Sequence, residues 1–309
     1  MNSIERKNKN KLIFYICGIS IPLLQFLFFY VFIVFDSILM AFQNLNEKGL
    51  VLGYTINNFV EVFNAFFGKS TIEKDIYLLG VLRDSIIVFF VSILFGSSAN
   101  ILFSNYLYKK KAGHKFFQVI LFVPQILSAV VMSRIYMYFV TQGIGDIGAL
   151  FGVKIFSLMK DALSKFIWLM VFTLWSGFGA GVLMYTSTMS GIPVEVVESA
   201  QLDGITPFKE LIFITMPMIY PTFVTFMVTN VASIFTNQMH LYTFYGQNID
   251  SVGGHSTLGY YMFARAAMWD GSWDKYAYLS ALGVVLSAIA IPLTLGTKKL
   301  LEKVGPSFE

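Results

Sequence analysis

The chain has 309 residues, of which 56% are hydrophobic and only 13% are charged, and its formal net charge is +4. Soluble domains carry about 25% charged residues, whereas a run of about 18 apolar residues is long enough to cross a bilayer. Several apolar runs in this chain reach that length, so the composition excludes a soluble globular protein. The small net charge fits the positive-inside bias of membrane proteins and does not indicate a nucleic-acid partner.

The sequence lacks the common motifs of catalysis and metal binding. It has no cluster of zinc ligands, no glycine-rich phosphate loop ending in Lys-Ser or Lys-Thr, and no Gly-x-Ser-x-Gly nucleophile turn. Its one cysteine, Cys17, lies within an apolar run and excludes an internal disulfide. We therefore expect no metal site, no cofactor and no covalent chemistry in this chain, so that an ATP-driven process would need an ATPase on another chain.

Six apolar runs predict an all-α, polytopic membrane protein with six spanning helices. The predicted spans are residues 12–35, 86–107, 116–140, 166–190, 218–241 and 276–295. Basic residues concentrate at 1–11, 109–115 and 298–303, and the positive-inside rule then places both termini in the cytoplasm. The expected organisation is a cytoplasmic N-terminus at 1–11, a transmembrane domain at 12–297 and a cytoplasmic tail at 298–309.

The lysine run after the second span, His255 and Arg134 are charged or titratable residues whose roles need an interpretation. The run Lys109-Lys-Lys111 is interpreted as a solvated topology signal. His255 lies in a predicted outer loop at 242–275 and is interpreted as a loop residue, because no second histidine or carboxylate cluster accompanies it in the sequence. Arg134 lies deep in the third predicted span, where a charge faces a cavity or a partner. It either lines a translocation path or forms an ion pair or carbonyl clamp at a subunit interface.

The segment 191–217 is the longest polar interruption in the second half of the chain. Pro193 suits a first helical position, and Gly204 suits a residue of positive φ just after a helix. Thr206 as N-cap and Pro207 at the next position begin a second helix. The pattern predicts two short helices, at 193–203 and 207–215, joined by a sharp glycine turn.

This segment resembles the EAA loop of binding-protein-dependent ABC importer permeases. The matching residues are Glu198-Ser-Ala-Gln-Leu-Asp-Gly204, followed by Phe208 and by Ile214-Thr-Met-Pro217. Ser199 and Ile205 replace the alanines usual in that pattern, but both leave the helix–glycine–helix geometry intact. Trp175-Ser-Gly-Phe-Gly and Ile192-Pro193 resemble the sugar-transport branch, and the overall similarity extends from about residue 12 to residue 299.

The resemblance implies the type I importer fold, in which six spans carry a cytoplasmic coupling helix that docks on an ATPase subunit. The residues that it assigns to this coupling are Pro193, Glu198, Ser199, Ala200, Asp203, Gly204 and Phe208. We expect Val196, Val197 and Ala200 to bury in the partner, and Glu198 and Asp203 to accept hydrogen bonds from it or from their own loop. The implied setting is the bacterial inner membrane, with a second permease subunit, two ATPase subunits that bind ATP–Mg, an extracellular solute-binding protein, membrane lipid and a sugar substrate.

Polar residues of the fifth predicted span are candidates for the substrate path. Asn230, Ser233 and Asn237 recur at i, i+3 and i+7, which places them on one helix face, and Gln238 follows. Amides both donate and accept hydrogen bonds, so this face suits a hydroxyl-rich substrate, but it would equally join neighbouring helices. On the fourth span, Trp175 and Tyr185 either pack in the core or stack on sugar rings.

Two other classes of protein compete with an importer permease. A self-contained secondary transporter or channel driven by protons needs intramembrane acids, and the spans as predicted contain none. A membrane enzyme acting on lipid or glycan needs clustered His, Asp or Glu near one membrane face, whereas the acids here are scattered over the loops.

Overall fold

The computed structural model describes residues 3–46, 48–73, 77–269 and 271–306. These form two compact units. The smaller contains the described residues within Met1–Asn64, Ser70–Ile72 and Trp269–Val285, and the larger those within Ala65–Lys69, Glu73–Met268 and Leu286–Glu309.

The smaller unit begins with one long helical run. Helix α1 (Ser3–Gln25) continues through a π-helical stretch into α2 (Ile33–Ala41). A short antiparallel hairpin follows, made of β1 (Gln43–Leu45) and β2 (Val51–Tyr54), and leads into α3 (Asn57–Phe66). The all-α prediction did not include this two-stranded hairpin, but the hairpin is too short to change the fold class.

The larger unit packs its helices around α9 (Ala162–Ser190). Helix α4 (Leu78–Val91) passes through a π-helical stretch into α5 (Ser98–Tyr108), and both α5 and α6 (His114–Ile126) pack on α9. The hydroxyl of Ser104 donates to the carbonyl of Val182 at 3.1 Å in this buried contact. The remaining helices of this part are α7 (Ala129–Tyr138) and α8 (Ile144–Leu150).

The second half of the chain contains the short helices of the predicted EAA-like loop and the last two spans. These helices are α10 (Val194–Leu202), α11 (Pro207–Glu210), α12 (Met216–Ala232), α13 (Leu241–Tyr245), α14 (Leu258–Met268) and α15 (Trp273–Val304). Helix α11 continues into α12 through a π-helical stretch, Leu211–Thr215. The segment 242–275, predicted as a loop, is therefore largely helical.

Five helical runs are long and apolar enough to cross a membrane. They are Ile13–Ala41, Leu78–Tyr108, Ala162–Ser190, Pro207–Ala232 and Trp273–Val304. The bent pair His114–Ile126 and Ala129–Leu150 makes a sixth span if its two helices cross together. The structure is consistent with the six predicted spans and confirms the fold class.

The third span differs from the straight helix predicted at 116–140. Helix α6 ends at Ile126, α7 begins at Ala129, and their axes are bent by 113°. Leu127 and Ser128 between them have extended ψ angles of 151° and 135°, which end the i to i−4 ladder. The break lies inside an unbroken apolar run, so hydropathy alone does not reveal it.

The fifth span also ends earlier than predicted. The sequence run reaches residue 241, but α12 ends at Ala232 and turns follow. Ser233, with φ −93° and ψ 4°, has left the helical conformation, and Met239 and His240 further on have left-handed φ angles of 50° and 55°. Residues 233–236 therefore form a turn, and Asn237 and Gln238 lie in the irregular segment after it.

Most spans start earlier than predicted, and this changes which acids they contain. The run from Leu78 includes Asp84, the run from Pro207 includes Glu210, and the first run extends past Asp36. The spans as drawn from hydropathy contain no acid, whereas the longer helical runs of the structure include these acids.

Candidate functional site

The segment 191–217 has the predicted helix–glycine–helix geometry, with one change. Pro193 is the N-cap of α10, with ψ 131°, and not its first helical residue. Gly204 has the predicted positive φ, 74°. Thr206 is the N-cap of α11 and Pro207 opens that helix, as predicted.

One face of α10 is buried in this chain. Val197 is 9% exposed and belongs to a core cluster with Ile101, Met189, Leu211 and Ile219, among others. Ala200 is also buried. We expected both side chains to bury in a partner subunit, and that expectation is wrong because α10 folds back on its own spans. The contact fixes α10 to the transmembrane helices.

The opposite face of this segment is exposed and combines acidic and apolar side chains. Its exposed residues include Pro193, Glu198, Ser199, Asp203, Gly204 and Phe208 from the predicted set, and also Val194, Val196 and Leu202. Within the described part of the chain, no hydrogen bond to the side-chain carboxylates of Glu198 or Asp203 is found. This exposed face is the one that a separate protein can reach.

A buried ion pair ties this segment to the second span. Lys109 Nζ donates to Glu210 Oε1, and the two side chains are 20% and 5% exposed. Lys109 is therefore not the solvated topology signal that its neighbours Lys110 and Lys111 resemble. Because the partners are a hundred residues apart in sequence, the pairing is not visible in the lysine run itself.

A cavity of about 260 Å³ lies among the second, fourth and fifth spans. Its lining carries uncharged polar side chains, namely Ser92, Ser97, Asn100, Thr173, Tyr185, Asn230 and Asn237. Apolar residues such as Leu174, Phe178 and Phe226 complete the lining. Among the described residues that line it there is no carboxylate, lysine or arginine.

The three residues predicted to share a helix face do come together, but by a different geometry. Asn230 is on α12, Ser233 is the residue that ends it, and Asn237 is in the irregular segment after the following turn. All three line a narrow cleft that continues the polar surface toward Ser85 and Thr257. The Asn230 amide donates to the Phe226 carbonyl at 3.0 Å, and Asn237 Oδ1 accepts from the Met239 N–H at 2.8 Å. Gln238 lines neither space.

Two polar atoms in the cavity wall are buried without a partner among the described residues. They are Asn100 Oδ1 and the Tyr185 hydroxyl. A buried polar atom left unpaired is costly, so a ligand or water in the cavity is their natural partner. Sequence reasoning missed Asn100, although an asparagine inside an apolar run was a usable signal.

Trp175 and Arg134 lie outside the cavity lining. Trp175 packs in an aromatic cluster, with ring centroids 6.2 Å from Phe172 and 6.5 Å from Tyr136. His240 joins this cluster against Phe172, and burial lowers its pKa, which favours the neutral imidazole. Arg134 is exposed on α7 and forms no ion pair with the described residues.

His255 has the acidic partner that the sequence did not reveal. Its Nδ1 lies 3.0 Å from Asp84 Oδ2, and its ring stacks on Phe166 with centroids 5.3 Å apart. Asp84 is almost fully buried and also pairs with Arg83 at 3.0 Å. Across the described residues, no group of three or more His, Cys, Asp or Glu side chains is arranged to hold a metal ion.

The fold and the site together define a class: a helical, multi-span membrane protein with a polar cavity between its spans and a helix–glycine–helix segment packed on them. Residues 92–304 match the family described as "Binding-protein-dependent transport system inner membrane component", and the chain belongs to this family.

Among curated proteins, the chain is similar to permease proteins of sugar transport systems. The galactooligosaccharides transport system permease protein GanP of Bacillus subtilis (strain 168) is 27% identical over 189 residues, which are 59% of this chain and 44% of GanP. MalF, the maltose/maltodextrin permease protein of Escherichia coli (strain K12), is 23% identical over 232 residues, 73% of this chain and 44% of MalF. The chain thus spans less than half the length of these two relatives.

A further relative matches along most of its length. The arabinooligosaccharides transport system permease protein AraP of Bacillus subtilis (strain 168) is 22% identical over 284 residues, which are 90% of this chain and 85% of AraP.

Solved structures share the fold. A chain of a bacterial ABC transporter involved in the import of the acidic polysaccharide alginate aligns with TM-score 0.76 at 16% identity, covering 98% of this chain and 99% of that one. A chain of the bacterial alginate transporter in complex with an alginate pentasaccharide-bound periplasmic protein aligns with TM-score 0.72, also at 16% identity, and covers 96% of each chain.

Proposed function

We propose that this chain is the membrane-spanning permease subunit of an ATP-driven, binding-protein-dependent importer of oligosaccharides in the bacterial inner membrane. Family membership and the sugar-transport relatives support this proposal. The chain forms half of the translocation path together with a second permease subunit. Two ATPase subunits bind ATP–Mg, an extracellular binding protein delivers the sugar, and both termini of this chain face the cytoplasm.

The observation on which the proposal rests is that one face of α10 is buried against the spans and the other is exposed. Its inner face is held in the core by Val197 and Ala200, while its outer face presents Glu198 and Asp203 with their carboxylates free to accept hydrogen bonds. Because α10 is fixed to the spans in this way, a displacement of α10 by a protein bound to its outer face moves the flanking spans with it. When ATP closes the ATPase pair, the flanking spans tilt and the cavity opens to the other side.

The cavity favours a neutral sugar over an acidic one. Its polar groups are hydroxyls and amides, which both donate to and accept from sugar hydroxyls. A carboxylated sugar would lack a cationic partner in this half of the path, and burying an unpaired charge is costly. The substrate class therefore differs from the alginate named for the structural neighbours.

The acids within the helical runs do not favour a proton-driven transporter. The two buried ones are each held in a local ion pair, Asp84 with Arg83 and His255 and Glu210 with Lys109. Asp36 is exposed on the first run, whereas a proton relay needs carboxylates that exchange protons along a path.

The test is affinity purification of the full chain from its native membrane, followed by mass spectrometry. The proposal predicts an ATPase, a second permease and a binding protein in the purified sample. Glu198→Lys places a charge of the wrong sign on the outer face, where it breaks no described contact, so the ATPase should be lost while membrane insertion is kept. Glu302→Lys, the same change at an exposed site on α15, is the control, and it removes only an exposed 3.9 Å pair with Lys298. Normal ATPase recovery with Glu198→Lys would show that α10 is not the coupling contact.

A further inference from the structure

The segment between the first span and the larger unit carries an exposed apolar surface. On the hairpin this surface consists of Leu50, Val51, Leu52 and Tyr54, and on the start of α3 of Ile56, Val60 and Phe63. The exposed fractions of Leu52, Tyr54 and Ile56 are 66%, 75% and 68%. The α3 residues recur at i, i+4 and i+7, so they form one stripe along the helix. We name these seven residues the hairpin–α3 surface.

The base of the hairpin is fixed at the end of the first span. The Asn58 amide donates to the carbonyls of Ala41 and Gln43, both at 2.9 Å, and the Thr55 N–H donates to the Phe42 carbonyl at 2.7 Å. Ala41 is the last residue of the apolar run Ile13–Ala41. The start of α3 therefore lies at the depth where that run leaves the hydrocarbon.

The tip of the hairpin is fixed at the start of another span. Gly49 lies so close to the indole of Trp273 that a Cβ on it would be 3.0 Å from the ring. Trp273 is the first residue of α15, and tryptophan at the end of a span is typical of the membrane–water boundary. The hairpin therefore runs between two span ends along that boundary and does not project away from it.

The hairpin–α3 surface carries no charge. The one charged residue between Leu50 and Phe63 is Glu61, whose carboxylate accepts from the Ser70 hydroxyl and the Thr71 N–H, both at 2.8 Å. Burial raises the pKa of Glu61, but the hydrogen bonds from Ser70 and Thr71 outweigh it and leave the pKa below its usual value. The ionised carboxylate is thus hydrogen-bonded within the smaller unit.

We propose that the hairpin–α3 surface is a lipid-binding element that lies in the interface between the phospholipid headgroups and acyl chains. An apolar helix stripe with an aromatic at its edge, placed at the boundary and free of charge, matches the chemistry of interfacial segments. The surface continues the lipid-accessible face of the first span and extends it sideways along the bilayer.

Site-directed spin labelling of the assembled transporter in phospholipid bilayers tests this proposal. Cys17→Ser removes the one native cysteine, and Leu52→Cys and Val60→Cys then place nitroxides on the hairpin–α3 surface. Asn57→Cys is the matched control, because Asn57 is exposed on the same helix but lies off the stripe. Tyr54→Cys supplies a replacement label if either variant fails to assemble.

The readout is the ratio of collision rates with oxygen, which partitions into lipid, and with a water-soluble nickel chelate. We expect this ratio to be several-fold higher at 52 and 60 than at 57. A low ratio at 52 and 60, equal to that of a water-exposed label, would show that the surface faces water. Low collision rates with both reagents at 52 and 60 would show that another protein covers it. Either result overturns the proposal.

Discussion

At the scale of single residues, the pair Lys109–Glu210 has the clearest energetic consequence. Removing one partner leaves the other charge largely buried. We expect the free energy of unfolding to fall by up to roughly 3 kcal/mol, the lower end of the usual range, because Lys109 keeps some contact with solvent. Lys109→Met and Glu210→Met should each lower the thermal unfolding temperature in detergent. The double variant should lose less than the two single losses combined, and Lys111→Met, an exposed neighbour, should change little. Additive losses in the double variant would show that the two side chains do not interact.

A substitution at Tyr185 distinguishes between substrate contact and helix packing as the role of this residue. Its hydroxyl has no partner among the described residues, so Tyr185→Phe removes no internal hydrogen bond. We expect the thermal unfolding temperature to stay the same or rise slightly. If the hydroxyl contacts the sugar, the KM for uptake should rise by about 2- to 10-fold, as expected for one hydrogen bond of about 0.5–1.5 kcal/mol. A loss of stability with unchanged uptake would assign Tyr185 to helix packing alone.

At the scale of elements, Gly259 holds α14 against the turn that follows α12. A Cβ on Gly259 would lie 2.4 Å from the Thr236 carbonyl oxygen and 2.9 Å from that of Asn237. Backbone atoms yield little, so Gly259→Ala should cost roughly 1–3 kcal/mol of stability and displace the segment that contains Asn237. We expect lower unfolding temperature and slower sugar uptake together. Gly296→Ala is the control, because a Cβ there meets nothing within 4 Å and Gly296 is not among the residues that line the cavity. Equal behaviour of the two variants would contradict this packing.

The elements also show where sequence reasoning succeeds and where it fails. The helix–glycine–helix segment was predictable because Pro193, Gly204 and Pro207 act through local backbone geometry. The break at Leu127 and the end of α12 at Ala232 were not, since each lies inside a stretch that hydropathy assigns to one continuous span. The inward packing of Ala200 and the partners of Lys109 and His255 depend on residues distant in sequence, which no local pattern encodes.

At the scale of the whole molecule, the proposed function divides the work of transport among several chains. This chain would supply its apolar helical runs, one wall of the polar cavity, and helix α10, which is packed on the spans by one face and exposed on the other. In the proposal, an ATPase on another chain supplies the energy and a second permease completes the cavity.

Uptake of radiolabelled neutral oligosaccharide into proteoliposomes would show directly whether this chain belongs to an ATP-driven sugar importer. The complex purified with this chain is reconstituted, and ATP is supplied on the side of the ATPase subunits. We predict uptake that requires both ATP and the binding protein and that Glu198→Lys abolishes. Uptake by this chain alone without ATP would contradict the account and identify a self-contained transporter or channel.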